Sequence, residues 1–235
     1  MVKIAVNGAS GRMGKRIVAL AKASKEYTVA GEFDVNGEKL SAEALKKLGR
    51  GVLIDFSSPS GTPDALAQAQ KAGWGLVVGT TGLDVAVEKS LRAASKKIPV
   101  VRSSNMGIGI NLILPLLDLL CRKIPGGFDI QMTEAHHIHK KDAPSGTALM
   151  LADAIAKAKK WDASRTKKEK ERIKSIREGE IVGDHSVLFS GGAETIEIRH
   201  HAQSRDVFAN GSLLAAKFLA KKKTGFYTMK EVLGI

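Results

Sequence analysis

Reactive side chains crowd into one stretch of the sequence, Glu134-Ala135-His136-His137-Ile138-His139-Lys140-Lys141-Asp142-Ala143-Pro144-Ser145-Gly146-Thr147. Three of the six histidines, His136, His137 and His139, fall within four positions, beside Lys140 and Lys141. Imidazoles exchange protons near neutral pH, and a lysine ammonium binds a carboxylate or gives up a proton. A strand pattern leads in and a helix pattern leads out, so Ser145-Gly146-Thr147 opens a helix. The free N–H groups and dipole at such an end suit a carboxylate. The stretch is therefore suited to holding a small dicarboxylate and protonating it. A polar surface loop is the plain alternative; it weakens when three His, two Lys and a helix N-terminus coincide. Zinc is a second alternative, but no ligand spacing such as HExxH is present and the one cysteine, Cys121, stands alone, so no metal is expected.

A second chemical feature lies at the start of the chain. Gly8-Ala9-Ser10-Gly11-Arg12-Met13-Gly14 spaces three glycines by three, a GxxGxxG variant of the dinucleotide fingerprint. An apolar run precedes it, a helical pattern follows, and Asp34 closes the next strand about twenty residues on. Gly8 and Gly11 permit a tight turn and a close approach of backbone to pyrophosphate, and Gly14 permits close helix–sheet packing. An acid at the Asp34 position suits ribose hydroxyls and repels a 2′-phosphate. Three further polar segments end strands: Asp55-Phe56-Ser57-Ser58-Pro59, Gly79-Thr80-Thr81-Gly82 and Ser103-Ser104-Asn105-Met106. In open parallel sheets ligands sit beyond the carboxyl ends of the strands. Ordinary polar loops remain an equal reading for any one of these three.

The elements that must position these residues follow from periodicity. Strands are expected at 2–7, 27–34, 51–56, 76–79 and 99–102. Helices are expected at 12–24, 62–72 and 85–97, the first with Met13, Ile17, Leu20 and Ala21 on one face. Strands alternating with helices predict a Rossmann-type, doubly wound parallel sheet. Near Gly107 the pattern changes. A long apolar helix is expected at 108–123, a strand at 128–136, a helix at 147–160, antiparallel strands at 185–189 and 194–201, and a helix at 207–222 that returns to the first domain. The fold class is thus α/β, with a second, α+β domain for the substrate. The expected division is 1–106 plus 207–235 for the dinucleotide and 107–206 for the substrate, hinged near Gly107 and Val207 to close over both ligands.

Composition narrows the function class. The chain has 235 residues, 43% hydrophobic and 26% charged, as globular proteins do. Its net charge of +13 invites a nucleic-acid reading. Residues 157–177, however, carry ten Lys or Arg against three Asp or Glu, with Trp161 as the one aromatic. That segment reads as a solvated helix and loop, and no nucleic-acid partner is expected. The start of the chain lacks a signal-peptide pattern, and its most apolar stretch, 108–121, is interrupted by Asn111, Pro115 and Asp118. A cytoplasmic protein with no membrane partner is expected, with Cys121 a buried packing residue.

The GxxGxxG opening, the GTTG at 79–82 and the EAHHIHKKDAPSGTA string resemble the dihydrodipicolinate reductase (4-hydroxy-tetrahydrodipicolinate reductase) family of the lysine and diaminopimelate pathway. The string E-x-H-H-x-x-K-x-D-A-P-S-G-T-A is that family's signature, and the resemblance runs over essentially the whole chain, including Gly183-Asp184-His185 and residues 194–210. It implies His136 as the acid/base residue and Lys140 as the proton donor. It implies that His137, Gly146 and Thr147, beside Ser145, bind the substrate dicarboxylate. Gly8, Ala9, Ser10, Gly11, Arg12, Met13, Asp34, Gly79, Thr80, Thr81, Ser103, Ser104, Asn105 and Met106 would hold NADH or NADPH. A homotetramer formed through the sheet of the second domain is also implied. The chain departs from the pattern at Val35 and Ser58, where some members carry arginines able to meet a 2′-phosphate. An NADH preference is the expectation, with NADPH use alongside. It is also shorter than many members, mostly between Asp34 and Gly51. The rivals are an amino-acid or imine dehydrogenase on the same scaffold and a non-catalytic dinucleotide sensor. The 136–147 loop does not resemble those dehydrogenases, and a sensor has no need of a His/Lys cluster facing the cofactor.

Overall fold

Short runs of apolar residues that alternate between two faces force the first sheet to be buried on both sides. The computed structural model describes residues 1–235. In strand β1 (Val2–Asn7), Ile4 and Val6 point to one core while Ala5 points to the other. Strand β3 (Val52–Asp55) does the same, with Val52 and Ile54 opposite Leu53. Such two-sided strands are the mark of a parallel sheet under helices. The other members are β2 (Tyr27–Phe33), β4 (Gly75–Val78) and β5 (Pro99–Arg102). A sixth strand, Gly225–Tyr227 (β10 in chain order), pairs with β5. All pairings are parallel, in the order β10-β5-β4-β3-β1-β2.

One face is covered by α1 (Arg12–Ala23) and α8 (Asp206–Leu219), which contribute Ile17, Val18, Ala21, Leu213 and Leu219 to a shared core. The other face is covered by α2 (Ala42–Lys47), α3 (Thr62–Ala72) and α4 (Val85–Ala94), whose Leu45, Leu66 and Leu91 pack with Trp74 and Phe33. Each such side chain removed from water contributes about 1.5–3 kcal/mol. Gly211 of α8 lies against the backbone carbonyl of Met106, an approach that any side chain would block. Arg16 of α1 pairs with Asp206 of α8 at 2.6 Å. The strand order reverses direction between β1 and β3, which creates the switch point where such sheets bind ligands.

The chain divides into two units, 1–108 with 205–235, and 109–204. The second unit has its own four-stranded sheet, β7-β6-β8-β9. Its strands are β6 (Asp129–His136), β7 (Lys174–Arg177), β8 (Asp184–Ser190) and β9 (Thr195–His201). β6 runs parallel to β7 and antiparallel to β8, and β8 and β9 are antiparallel. Helix α5 (Ile108–Lys123), which begins at the boundary, and helix α6 (Gly146–Lys159) cover one face. There Ile110, Leu117, Cys121, Leu151 and Ile155 meet Val187 and Phe189. Cys121 is buried among them. The remaining helices are α7 (Ala163–Glu171) and α9 (Met229–Leu233).

Three differences from expectation bear on the fold. The sheet of the first unit has six strands, because Gly225–Tyr227 is too short to show a period of its own. Residues 174–177, read as part of a solvated basic loop, form the edge strand β7. Their apolar content, Ile176 alone, was too small to signal a strand, and pairing with β6 decides it. The helix expected at 85–97 stops at Ala94, where the Ser95 hydroxyl bonds back to the carbonyl of Arg92. No helix is long and apolar enough to cross a membrane.

Candidate active site

Strand register brings the reactive groups of the second unit together. Glu134 and His136 are two apart in β6 and so share a face. Across the sheet, Glu134 stands beside His185 of β8 and Ser175 of β7, and His136 beside Arg177. His185 in turn stands beside His200 of β9. The His136 and His185 rings meet edge to face with centroids 5.2 Å apart.

Glu134 is fully buried, and the Nδ1 of His136 bonds to its Oε2. Its Oε1 accepts from Arg177 Nη2 at 2.8 Å and from the backbone N–H of Ser145 at 3.3 Å. Burial works against the charged Glu134, yet Arg177 first, and His136 after it, hold its carboxyl below the usual range. Burial pushes the His136 imidazole below its ordinary pKa, with Glu134 opposing and Lys140 and Arg177 adding to the drop. His185 is pushed down to about 4, by burial first and then by His136 and His200. Both rings are therefore neutral at neutral pH. Lys140 Nζ pairs with Asp142 at 2.9 Å, and Arg177 donates to the carbonyls of Asp142 (2.6 Å) and Lys140 (3.3 Å).

Ser145 caps α6. Its hydroxyl accepts from the N–H of Ala148 at 3.2 Å and bonds Nε2 of His185 at 3.2 Å. Gly146 is the first residue of α6, with open space where a Cβ would stand, and Thr147 is the second. The N-terminal N–H groups of α6 thus lie one short loop away from His136, His137 and Lys140. The N–H of His137 is tied to Ile181 O at 2.8 Å, while exposed His139 pairs with Glu180 at 3.5 Å, its ring 6.0 Å from that of His137. No group of His, Cys, Asp and Glu is arranged to hold a metal ion.

Sequence reasoning left Glu134, Arg177 and His185 without roles. Glu134 carried a readable signal, an acid two positions before a histidine in a strand. Arg177 and His185 reach the cluster only through cross-strand pairing.

In the first unit, the carboxyl ends of the parallel strands align at Asn7, Phe33, Asp55, Val78 and Arg102. The next residues, Gly8, Asp34, Phe56, Gly79 and Ser103, therefore form one edge. Gly8 has φ +81°, and a Cβ on it would lie 2.5 Å from Phe56 O. A Cβ on Gly14 would lie 2.6 Å from Ala9 Cα. Gly11 caps α1 with no side-chain bond, and the first turn of α1 holds no acid. Bare backbone N–H groups at a helix N-terminus and switch point fit a pyrophosphate. The Ser10 N–H donates to Asp34 Oδ2 at 2.9 Å, and that bond leads the causes holding the half-buried Asp34 below its ordinary pKa.

The other expected cofactor residues divide by side chain. Thr80 is buried and bonds Asp55, while Thr81 is exposed. The Ser103 hydroxyl turns back to Asn105 O, the Asn105 amide oxygen accepts from Gly107 N–H, and Met106 packs in the core. The Thr80 and Met106 side chains therefore build the edge from beneath. Beneath the edge also lies Asp55, fully buried, which accepts from Asn7, Ser57, Thr62 and Thr80 at 2.7–3.1 Å and ties β1, β3 and β4 together at their ends.

A doubly wound parallel sheet with a glycine cradle at its switch point, and a second, α+β unit bearing a His/Lys cluster, define an enzyme of the nicotinamide-dinucleotide oxidoreductase class. The model of the dihydrodipicolinate reductase N-terminus matches residues 2–106, and that of its C-terminus matches residues 109–233. The chain belongs to the dihydrodipicolinate reductase family. It is 39% identical over 264 residues to 4-hydroxy-tetrahydrodipicolinate reductase of Cupriavidus metallidurans, covering 100% of both chains. It is 40% identical over 247 residues to that of Caldanaerobacter subterraneus subsp. tengcongensis, covering 99% of this chain and 98% of the relative. Among solved structures it resembles dipicolinate-bound dihydrodipicolinate reductase from Paenisporosarcina sp. TG-14, with TM-score 0.82, 20% identity and 98% of each chain covered. A probable dehydrogenase from Thermotoga maritima shares the fold at TM-score 0.64, with 11% identity and 98% and 92% covered.

Proposed function

We propose that this chain reduces 4-hydroxy-tetrahydrodipicolinate to tetrahydrodipicolinate with NAD(P)H in diaminopimelate and lysine biosynthesis. The observation that carries the reading is the family match over both halves of the chain, together with the His136–Thr147 cluster. The reaction consumes one proton and releases one water. The nicotinamide cofactor supplies a hydride; the protein's part is binding, orientation and proton delivery.

His136, neutral and bonded through Nδ1 to Glu134, exchanges a proton at Nε2. The Lys140 ammonium is the proton donor, and its charge stabilises negative charge developing on the substrate. His137 and the α6 N-terminus at Ser145, Gly146 and Thr147 bind the carboxylates. Gly8–Met13 cradle the pyrophosphate, with Asp34 at the adenosine ribose and the loops at 79–81 and 103–106 beside the nicotinamide half. An anionic Asp34 with Val35 next to it favours NADH. The open face of the second sheet, with Thr133, Ala135, Ile176 and Leu188, is the surface through which a homotetramer assembles.

A coupled assay tests the activity. Dihydrodipicolinate synthase, pyruvate and aspartate semialdehyde generate the substrate in place, and oxidation of NADH and NADPH is followed separately. Oxidation that depends on all three components is expected, faster with NADH. Tight dinucleotide binding without oxidation would move the reading to a related reductase or a sensor. Sedimentation of the purified chain reads the oligomer.

A further inference from the structure

In the reading above Glu134 touches no substrate, yet it is a fully buried carboxylate with three different donors. We infer that Glu134 is the positioning residue of the site: it fixes His136 as the Nδ1–H tautomer and locks that ring to the N-terminus of α6 and to the Lys140 loop. This rests on the proposed role of His136.

An ionised carboxylate only accepts hydrogen bonds. Arg177 and the Ser145 N–H occupy Oε1, so the proton between Oε2 and His136 belongs to Nδ1. Nε2 then carries the lone pair. Gly183 keeps the space before it clear, since a Cβ there would stand 3.1 Å from Nε2. Arg177 extends the lock, holding the backbone carbonyls of Lys140 and Asp142. One carboxylate thus sets the distances among His136, the α6 N-terminus and Lys140. The charged and titratable groups facing His136 are Glu134 on its own strand, Arg177 from β7, Lys140 from the following loop and His185 from β8. Glu134 alone among them favours the protonated ring.

Glu134→Gln makes the test sharp. Arg177 and the Ser145 N–H still require an acceptor, so the amide oxygen faces them and the amide NH2 faces His136. Nδ1 must then accept, and the proton moves to Nε2. A carboxylate-held catalytic histidine put in the wrong tautomer loses ~10⁴ in kcat in the best-known case. We expect a fall of at least about 100-fold in kcat, with the substrate KM and NADH Kd within about threefold. The kinetic limb of His136 should move to lower pH, and Glu134→Asp should restore part of kcat. The tautomer is read directly from long-range proton–nitrogen NMR correlations of the imidazoles, assigned with His136→Ala. In the wild-type chain the His136 nitrogen that is protonated should be Nδ1. A wild-type Nε2–H tautomer overturns the inference, even if the Gln variant does not fold. So does a folded Glu134→Gln variant with unchanged kcat and pH profile. A His136→Ala variant that retains full kcat overturns the catalytic role of His136 instead, and leaves the NMR result to decide the tautomer.

Discussion

Gly14→Ala tests the dinucleotide cradle most directly, because the effect expected there is opposite to that on an ordinary helix. Gly14 is buried in the first turn of α1. A methyl group on it would lie 2.6 Å from Ala9 Cα and 2.8 Å from Ala9 O, and also against Gly8 O. These are all backbone atoms and cannot rotate away. Apolar carbon contacts relax at about 3.5–4.0 Å, so α1 must retreat from the loop by roughly 1 Å. Two effects oppose. Replacing glycine by alanine in a helix contributes ~0.8–1.0 kcal/mol, and overpacking costs ~1–3 kcal/mol. The balance is a loss of about 0–2 kcal/mol in stability. Binding suffers more. A shift of about 1 Å takes N–H to phosphate distances from ~2.9 Å to beyond bonding range. Losing one such charge-assisted bond costs ~1.5–3 kcal/mol, which raises the NADH Kd about ten- to 100-fold. Fluorescence titration with NADH and thermal unfolding with and without it measure both. A Kd within twofold of wild type, with Tm equal or higher, would refute the reasoning.

Three further outcomes are expected. Lys140→Ala should lower kcat about 100-fold or more, the usual worth of a general acid, with little change in NADH Kd; steady-state kinetics with an intact kcat would remove Lys140 as proton donor. Asp34→Ser removes the anion held by the Ser10 N–H; the ratio of NADPH to NADH in kcat/KM should rise about tenfold or more, worth ~1.4 kcal/mol, and an unmoved ratio would place discrimination elsewhere. His185, with its pKa lowered from 6.5 to about 4 in the folded state, makes stability depend on pH. Between these values the unfolded chain binds the extra proton, so its contribution is fully present above pH 6.5 and is lost as pH falls toward 4. The depression amounts to roughly 3 kcal/mol. Urea unfolding of wild type and His185→Gln across pH 4.5–7 should show a shallower pH slope in the variant, and equal slopes would show that His185 is not the group responsible.

The sequence by itself determined the fold class and the family. The two-faced strands Val2–Asn7 and Val52–Asp55, separated by amphipathic helices, admit little but a parallel sheet under helices on both sides. The signature 134–148 is local, and its residues stay close wherever the chain goes. Tertiary structure decided what is brought beside that signature. Arg177 sat in a segment rich in lysine that reads as solvated, and only parallel pairing of β7 with β6 sets it beside His136 and onto Glu134. His185 lies 49 residues beyond His136 in the chain, yet the antiparallel register of β8 makes it the neighbour of Glu134. Asp55 reads as the end of a strand, and only the alignment of β1, β3 and β4 shows it as the buried acceptor joining three of them. Local patterns record which residues a helix or strand must bury. Cross-strand register depends on the whole sheet, and at this site register sets which charges meet and which tautomer a histidine holds.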